Sequence, residues 1–434
     1  MRLRSTRGAP AVSLEEALVQ GLAPDGGLYV PESLPSFSPD DFDDDDARSI
    51  AMRYLTPFFA GTRLADSIDA IVAETFSFPL PLVDLSQTVN APLSVLELFH
   101  GPTAAFKDVG ARFLAACLSR LDAEVDDPRP LTILVATSGD TGGAVAAAFH
   151  GRPGIDVVVL FPEGRVSPRQ QHQLCCWGDN VTSLSVAGGF DDCQALVKAA
   201  FTDPTLSTQY RFSSANSINI GRLLPQSVYY AVASTQYLHK HGERLSFAIP
   251  TGNLGNALAA VLARAAGLPI GDILLVTNAN RTVPDYFATG QYAGRASIAT
   301  LASAMDVGDP SNMERLRDLF GEAEALRALG LDAVSVDDTE IREQIRRDAA
   351  RFDFAWCPHS ATAMYAWERH LDDAARAAPW AVVATAHPAK FETIVEPLID
   401  ATVPVPPALA DLLDRPAAFS RITPSLDALA EALS

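Results

Sequence analysis

Lys107 is the residue whose type and position point most directly to chemistry. It ends the segment HGPTAAFK at residues 100–107, and apolar side chains follow it at helical spacing from Phe113 to Leu121. At the start of a helix, in partly apolar surroundings, both the helix dipole and desolvation disfavour the charged form of a lysine. A neutral amine is a nucleophile, and its most demanding use is a Schiff base with pyridoxal 5'-phosphate. Taken alone, the motif also fits an ordinary exposed lysine.

A second polar turn, TSGDTGG at residues 137–143, lies between an apolar run and an alanine-rich helical stretch. Backbone amides at a helix N-terminus, joined by the hydroxyls of Thr137, Ser138 and Thr141, form a cradle for an anion such as a substrate carboxylate. The turn matches neither the Walker loop nor the dinucleotide fingerprint. A capped strand-to-helix turn without a ligand is the alternative interpretation.

A third turn, PTGNLGN at residues 250–256, precedes another alanine-rich helix. Its glycines allow backbone amides to approach a phosphate closely, and the helix dipole favours the negative charge. This turn therefore suits a cofactor phosphate. It is weak evidence alone and gains weight beside the lysine motif and the anion cradle.

The segment SSANSINIGR at residues 213–222 is polar between apolar neighbours and ends in Arg222. Hydroxyl, amide and guanidinium groups together suit a phosphate monoester, because they offer charge-assisted hydrogen bonds. A loop that caps the following helix is the alternative.

A fifth motif, TAHPAKF at residues 385–391, follows the apolar run 380–384. Ligands of open α/β sheets bind at such strand ends. A hydroxyl such as that of Thr385, facing a pyridine nitrogen, would not hold a proton there as a carboxylate does. His387 has either a catalytic part or the commoner role of a core or capping histidine.

The elements that must position these motifs are strands alternating with helices. Apolar runs of strand length recur after residue 90, and their alternation with helical stretches predicts parallel sheets covered by helices. The predicted strands span residues 132–136, 157–161, 246–250, 273–277 and 380–384. Residues 1–85 are expected to form a separate, partly helical module. Residues 396–434 are expected to form a C-terminal tail segment, proline-rich from Pro404 to Pro416.

Composition limits the function classes. A chain of 434 residues predicts two domains plus an appendage. Because nucleic acids and anionic membranes are recognised through excess Lys and Arg, the net charge of −20 argues against both as partners. Five cysteines without a C-x-x-C indicate neither a disulfide framework nor a zinc site, so no metal is expected. No signal-peptide core or run of ~18 apolar residues is found, which predicts a cytoplasmic protein.

Five ordered motifs together resemble the threonine synthases of the bacterial and fungal type. They are HGPTAAFKD at 100–108, TSGDTG at 137–142, NSINI at 216–220, GNLGN at 252–256 and TAHPAKF at 385–391. The resemblance covers nearly the whole chain, including STRG at 5–8 and GLAPDGGL at 21–28.

Membership implies an α/β protein of pyridoxal-phosphate fold type II, the tryptophan-synthase-beta-like fold. Two open parallel-sheet lobes are then expected within residues 86–395, the smaller at about 110–230, after a mainly helical N-terminal domain. The implied reaction converts O-phospho-L-homoserine and water to L-threonine and phosphate by gamma-elimination and beta-addition of water. A monomer and a homodimer both remain open.

The resemblance also implies roles for single residues. Lys107 would be the catalytic Schiff-base lysine, and Thr385 would face the pyridine nitrogen. Asp140 stands where many relatives of the wider fold type have Asn, which leaves open the protonation of its hydrogen bond to the cofactor's phenolic oxygen. The implied cofactor ligands are Lys107, Asp140, Gly252, Asn253, Leu254, Gly255, Asn256 and Thr385. The implied substrate ligands are Thr137, Ser138, Thr141, Asn216, Ser217, Arg222 and Lys390.

Two other interpretations stay open. One is a different pyridoxal-phosphate lyase of the same fold, such as a serine or threonine dehydratase or a phospho-lyase acting on O-phosphothreonine-like substrates. A dehydratase has no substrate phosphate to bind, so the segment from Asn216 to Arg222 argues against it. The other is a catalytically silent binding or regulatory protein, against which the retention of Lys107 with all ligand loops argues.

Overall fold

The strands of this chain form three sheets within residues 1–43, 46–352 and 354–433, which are the residues that the computed structural model describes. Ser434, the last residue of the predicted tail segment, lies outside them. In chain order the strands are β1 (Arg2–Ser5), β2 (Val12–Ser13), β3 (Tyr29–Pro31), β4 (Leu82–Asp84), β5 (Leu93–Glu97), β6 (Leu131–Ala136), β7 (Ile155–Pro162), β8 (Val181–Val186), β9 (Arg211–Ser214), β10 (Leu245–Pro250), β11 (Ile270–Thr277), β12 (Leu331–Ser335), β13 (Trp380–Ala384) and β14 (Ser420–Ile422).

Helices connect most of these strands. In chain order they are α1 (Leu14–Gln20), α2 (Ala47–Phe59), α3 (Ile68–Thr75), α4 (Ser86–Val89), α5 (Lys107–Asp122), α6 (Asp140–Phe149), α7 (Pro168–Cys175), α8 (Phe190–Thr202), α9 (Pro204–Gln209), α10 (Ile220–Leu223), α11 (Ser227–His241), α12 (Gly255–Ala265), α13 (Thr282–Thr289), α14 (Asn312–Phe320), α15 (Ala323–Ala328), α16 (Asp338–Ala349), α17 (Pro358–Arg369), α18 (Asp373–Arg376), α19 (Glu392–Ile399), α20 (Pro407–Leu413) and α21 (Leu426–Leu433). None of the described helices is both long and apolar enough to cross a membrane.

The larger sheet has the strand order β12-β11-β10-β13-β5-β4 and is parallel except for β4. Its central strands β10 and β13 are mostly apolar and are buried along their whole length, because both faces of the sheet are covered. The register aligns Ala248 with Val382 and Ala384 with Glu97. The carboxyl ends of β10, β13 and β5 therefore lie side by side.

The smaller sheet has the order β14-β8-β7-β6-β9, and all of its strands are parallel. Leu134 on β6 aligns with Ser214 on β9, so the polar segments after these two strands leave the same sheet edge. Both sheets agree with the predicted fold class, which is confirmed, and all five predicted strands are present. The lobe boundaries within residues 86–395 stay predictions.

The N-terminal region combines α1, α2 and α3 with a small antiparallel sheet of order β2-β1-β3, a sheet that the sequence analysis did not predict. It packs directly against α5 and the segment that follows the start of β9. The ring of Phe59 meets that of Phe113 edge to face at 5.8 Å. Ser213 Oγ donates to the carbonyl of Val19 at 2.8 Å, and Asn219 Nδ2 donates to that of Leu18 at 2.9 Å.

The predicted tail segment takes part in the fold. Strand β14 adds a parallel edge to the smaller sheet, pairing Ser420 with Leu184. Within the proline-rich stretch, α20 buries Leu409 and Leu412, which are spaced to share one helical face. Leu429 on α21 is buried against the smaller sheet.

Candidate active site

The site lies where the carboxyl ends of the two sheets face each other. The segment that follows β5 pairs with the segment that follows β13. Ala105 and Ala386 form an isolated β-bridge, and the amide of Phe106 donates to the carbonyl of Thr385 at 2.8 Å. These contacts hold Lys107 beside Thr385. The next strand of the same sheet, β10, delivers the turn from Pro250.

Lys107 is the first residue of α5 and is only partly exposed. Its Nζ lies 3.1 Å from Thr141 Oγ1, which belongs to the smaller lobe. Burial, then the positive charge of Arg222, lower the pKa of Lys107 to about 8, although the carboxylate of Asp140 opposes this shift. The predicted activation of this amine thus has a physical basis in the structure.

The turn before α6 is organised by one hydroxyl. Thr137 Oγ1 accepts from the amides of Gly139 at 3.0 Å and Gly142 at 2.9 Å, so this side chain is used inside the turn. Gly139 has a φ of 138°, where a Cβ would lie 2.6 Å from Gln170 Nε2. Within the described residues, the side chain of Ser138 and the amides of Ser138, Asp140 and Thr141 have no hydrogen-bond partner. These donors are therefore available at the helix N-terminus, where the anion cradle is expected.

Asp140 is buried and ionised. Lys390 Nζ and Gln170 Nε2 each lie 2.9 Å from its Oδ1. Burial alone would raise the pKa of Asp140, but Lys390 and His359 outweigh it and the net shift is downward. Lys390 also donates to the carbonyl of Thr103 at 2.6 Å. The ammonium group of Lys390 therefore already contacts two protein groups that line the cleft, Asp140 and the carbonyl of Thr103.

The turn before α12 presents backbone donors. In the described part of the chain the amides of residues 252–256 have no hydrogen-bond partner, whereas the amide of Leu258 pairs with the carbonyl of Leu254. Leu254 has a φ of 61°, and a Cβ on Gly252 would lie 2.7 Å from Met305 Cα. Both features tighten the turn so that successive amides converge.

The side chains of that turn serve the protein itself. Asn253 Nδ2 donates to Ser217 Oγ at 2.6 Å. Asn256 donates to the carbonyl of Pro250 at 2.9 Å and accepts from Thr251 at 2.7 Å. Glycine and asparagine in this motif therefore shape the turn, and an anion would meet its main chain, including that of Gly255.

The segment from Asn216 to Arg222 lies on the smaller-lobe side. Asn216 Nδ2 donates to the carbonyl of Ala136 at 2.9 Å, which ties the ends of β9 and β6 together. Ser217 Oγ accepts from Asn253, so its own proton is left to donate. Arg222 is almost fully buried and bonds the carbonyl of Ala215, but its Nε has no partner among the described residues.

His387 of the fifth motif has a structural role, and two further residues at the site, His359 and Arg315, have no sequence signal. His387 accepts from the amide of Ala389 at 3.2 Å and caps the short turn Pro388–Phe391. His359 is buried, accepts from the amide of Ala304 at 3.0 Å, and has a pKa lowered to about 4 by burial. Arg315 is fully buried and bonds the carbonyl of Ser217 at 3.2 Å. A lone histidine or arginine far along the chain forms no local motif.

The donor set of this cleft fits pyridoxal phosphate. Free amides at the N-terminus of an 11-residue helix suit a phosphate dianion, and a lysine with a lowered pKa lies beside them at the same sheet edge. Thr385 is buried at the end of β13, where its amide donates to Ser360 Oγ at 3.0 Å. The unpartnered Nε of Arg222 supplies a further buried donor.

Comparison with known proteins gives consistent matches along the chain. Residues 2–76 match the family model for the threonine synthase N terminus, residues 75–388 the model for pyridoxal-phosphate dependent enzymes, and residues 360–433 the model for the threonine synthase C-terminal region. A threonine synthase of Escherichia coli (strain K12) is 39% identical over 410 residues, which cover 93% of this chain and 92% of that protein.

Two solved structures are similar over the whole chain. A threonine synthase from Escherichia coli superposes with a TM-score of 0.89 at 36% identity and covers 100% of this chain and 99% of its own. A threonine synthase with bound PLP from Brucella melitensis gives 0.88 at 36% identity, covering 99% and 98%.

Proposed function

The chain belongs to the threonine synthase family, and from this premise we propose that its cleft converts O-phospho-L-homoserine and water to L-threonine and phosphate. The cofactor is pyridoxal 5'-phosphate. When bound, it withdraws electrons from the carbon atoms next to the substrate amine, so that protons on the substrate become acidic.

The cofactor would be held by two parts of the larger lobe. Lys107 would carry it covalently, and the amides from Gly252 to Asn256 would bind its phosphate. Thr385 would lie against the ring nitrogen, where a hydroxyl does not compete for a proton as a carboxylate would. Asp140 would accept from the other side of the ring as a carboxylate, because Lys390 keeps it ionised.

Lys107 would move the protons of the reaction. With a pKa of about 8, a substantial fraction of its amine is neutral near neutral pH, which matches the requirement for a general base. The amine donates to Thr141 Oγ1 at 3.1 Å, and this hydrogen bond would orient it toward the smaller lobe. One base on one face of the substrate would serve to remove the alpha and beta protons and to deliver protons to the gamma and alpha carbons, while water supplies the hydroxyl group of the beta carbon.

The anionic groups of the substrate would meet two sets of donors. The amides and hydroxyls at Ser138 and Thr141, in the turn that Thr137 organises, would bind the carboxylate. The phosphate would lie toward Ser217 and Arg222, because a hydroxyl proton and a buried guanidinium donor remain available there. Asn216 and Lys390 would hold this region in place through their own hydrogen bonds.

One observation carries the proposal: the run of free amides at α12 shares a sheet edge with a lysine of lowered pKa, and two buried cations, Arg222 and Lys390, lie near that lysine. Arg222 and Lys390 are cationic in a protein of net charge −20. Such a concentration of donors suits a doubly charged leaving group together with a phosphorylated cofactor.

The test is to measure threonine and inorganic phosphate formed from O-phospho-L-homoserine by the purified enzyme. We expect equal amounts of both products, and neither from a Lys107→Ala variant, which would also lose the visible absorbance of the bound cofactor. Formation of 2-oxobutyrate with phosphate would instead indicate a lyase that does not add water back. An enzyme that binds the cofactor but turns over no phosphohomoserine would contradict the proposal.

The partners and location follow from charge and chemistry. We infer that the enzyme acts on a small phosphorylated amino acid in the cytoplasm and binds no nucleic acid, since its excess of carboxylates repels a phosphate backbone. A monomer and a homodimer both remain compatible with the proposal.

A further inference from the structure

Arg315 is a buried cation without an anionic partner. Its side chain is fully buried on α14, and no carboxylate lies within ion-pair distance of its guanidinium in the part of the chain that the structure describes. The neighbouring acid, Glu314, is bonded instead to Arg7 and Thr6. An isolated buried charge is costly, so a protein retains one where another group compensates it.

The guanidinium contacts three parts of the fold. Its Nε donates to the carbonyl of Tyr29 at 2.9 Å, in the N-terminal region. One terminal nitrogen donates to the carbonyl of Ser217 at 3.2 Å, and the other to that of Ile218 at 2.5 Å. Neutral carbonyls satisfy the N–H groups but do not neutralise the charge.

The same contacts lead to both predicted phosphate turns. Arg315 also donates to Asn312 Oδ1 at 2.8 Å, and Asn312 Nδ2 donates to the carbonyl of Asn253 at 2.9 Å. Asn253 in turn donates to Ser217 Oγ at 2.6 Å. The backbone of Ser217 is thus fixed by Arg315 and its hydroxyl oxygen by Asn253, which leaves the hydroxyl proton free to donate to another group.

We propose that Arg315 is a positioning residue for the substrate phosphate: it fixes the backbone of Ser217 and supplies uncompensated positive charge behind it. The proposal rests on the proposed function for the identity of the phosphate. It adds the N-terminal region to the site, since the carbonyl of Tyr29 holds the guanidinium in place. Burial lowers the pKa of Arg315 to about 9, and a phosphate dianion nearby would favour its charged form.

The experiment measures binding of inorganic phosphate and of L-threonine to the holoenzyme by calorimetry, for the wild type, Arg315→Gln and Arg315→Lys. Phosphate reports on the phosphate subsite, and L-threonine occupies the rest of the site without a phosphate. We expect Arg315→Gln to weaken phosphate binding at least about tenfold and to leave threonine affinity within about twofold. Arg315→Lys keeps the positive charge but loses the planar set of guanidinium donors, so its phosphate affinity should lie between those of the wild type and Arg315→Gln.

Arg317→Gln is the matched control on the same helix, because Arg317 pairs with Glu322 at the surface and faces neither turn. It should bind phosphate as the wild type does. Equal loss of phosphate and threonine affinity in the Arg315 variants would reduce Arg315 to a structural residue and overturn the proposal. Unchanged phosphate affinity in either variant would overturn it as well, so Arg315→Lys decides if Arg315→Gln does not fold.

These outcomes separate the inference from the proposed function. If the wild type makes threonine but the Arg315 variants bind phosphate normally, only the positioning role fails. If the wild type makes no threonine while phosphate binding depends on Arg315, the phosphate subsite stands and the proposed reaction fails.

Discussion

Lys390 Nζ lies 2.9 Å from Asp140 Oδ1, and the two side chains are 0% and 4% exposed. Asp140 begins α6 of the smaller lobe, whereas Lys390 lies in the turn after β13 of the larger lobe. The pair therefore joins the lobes across the cleft. Because Lys390 lies against it and its pKa is lowered, we expect Asp140 to accept hydrogen bonds at neutral pH.

Removing one member of this pair should be strongly destabilising. Lys390→Met leaves an unpaired buried carboxylate, and Asp140→Asn leaves an unpaired buried ammonium, so each should lower the free energy of unfolding by about 3 to 5 kcal/mol. The double variant should lose less than the sum. Urea unfolding of the cofactor-free proteins measures this. Additive losses would mean that the two groups do not interact. The control is Arg48→Gln, which breaks the exposed pair with Asp69 and should change the free energy of unfolding by less than about 1 kcal/mol.

The lowered pKa of Lys107 predicts how fast the cofactor-free protein takes up pyridoxal phosphate covalently. Only the neutral amine reacts, so the rate should rise about tenfold per pH unit and level off above pH of about 8. For a lysine without this environment, the rate would keep rising until the pH approaches the ordinary lysine pKa of 10.5. Stopped-flow absorbance across pH 6 to 10 distinguishes the two profiles, and a rise that continues to pH 10 would contradict the activation of Lys107 by burial.

Gly252 should tolerate no side chain. A Cβ there would lie 2.7 Å from the backbone of Met305, whereas a Cβ on Gly255 would meet no atom closer than 3.6 Å. Gly252→Ala should therefore lower the free energy of unfolding by about 1 to 3 kcal/mol and weaken cofactor binding at least about tenfold. Gly255→Ala is the control for stability and should change it by less than about 0.5 kcal/mol. Equal stability of the two variants would show that the turn relaxes freely.

The sequence was sufficient for the parts of the fold that depend on local patterns. The run of apolar residues in β13 and the alanine-rich stretch after Gly255 predict their elements, because both depend on burial along one segment. The family resemblance and the fold class are confirmed. The strand β14 was missed, since three residues of polar composition become a strand only by pairing with β8.

The site divides in the same way. The motifs predicted which turns contain donors, but not which atoms are free. Asn253 and Asn256 were expected as cofactor ligands, and their side chains are occupied within the protein, so their amides remain the candidates. Arg315 and His359 reach the cleft through contacts more than 50 residues apart, a relationship that no local pattern encodes.

His359 should make the protein sensitive to mild acid. It is buried and neutral, with a pKa of about 4 against 6.5 for the ordinary side chain, so its contribution to stability is full above pH 6.5. As pH falls from 6.5 to 4, the unfolded chain takes up the proton first, and the free energy of unfolding should drop by about 3 kcal/mol from this residue.

His359→Gln keeps an acceptor for the amide of Ala304 but does not titrate, so its free energy of unfolding should depend less on pH over this range. His370→Gln, on the exposed C-cap of the same helix, is the control and should follow the wild type. The measurement is the free energy of urea unfolding of all three proteins at pH 4.5, 5.5 and 6.5. An identical pH dependence of this free energy in all three would show that His359 is protonated without cost, and that the contact between α17 and the turn at Met305 does not depend on its neutral form.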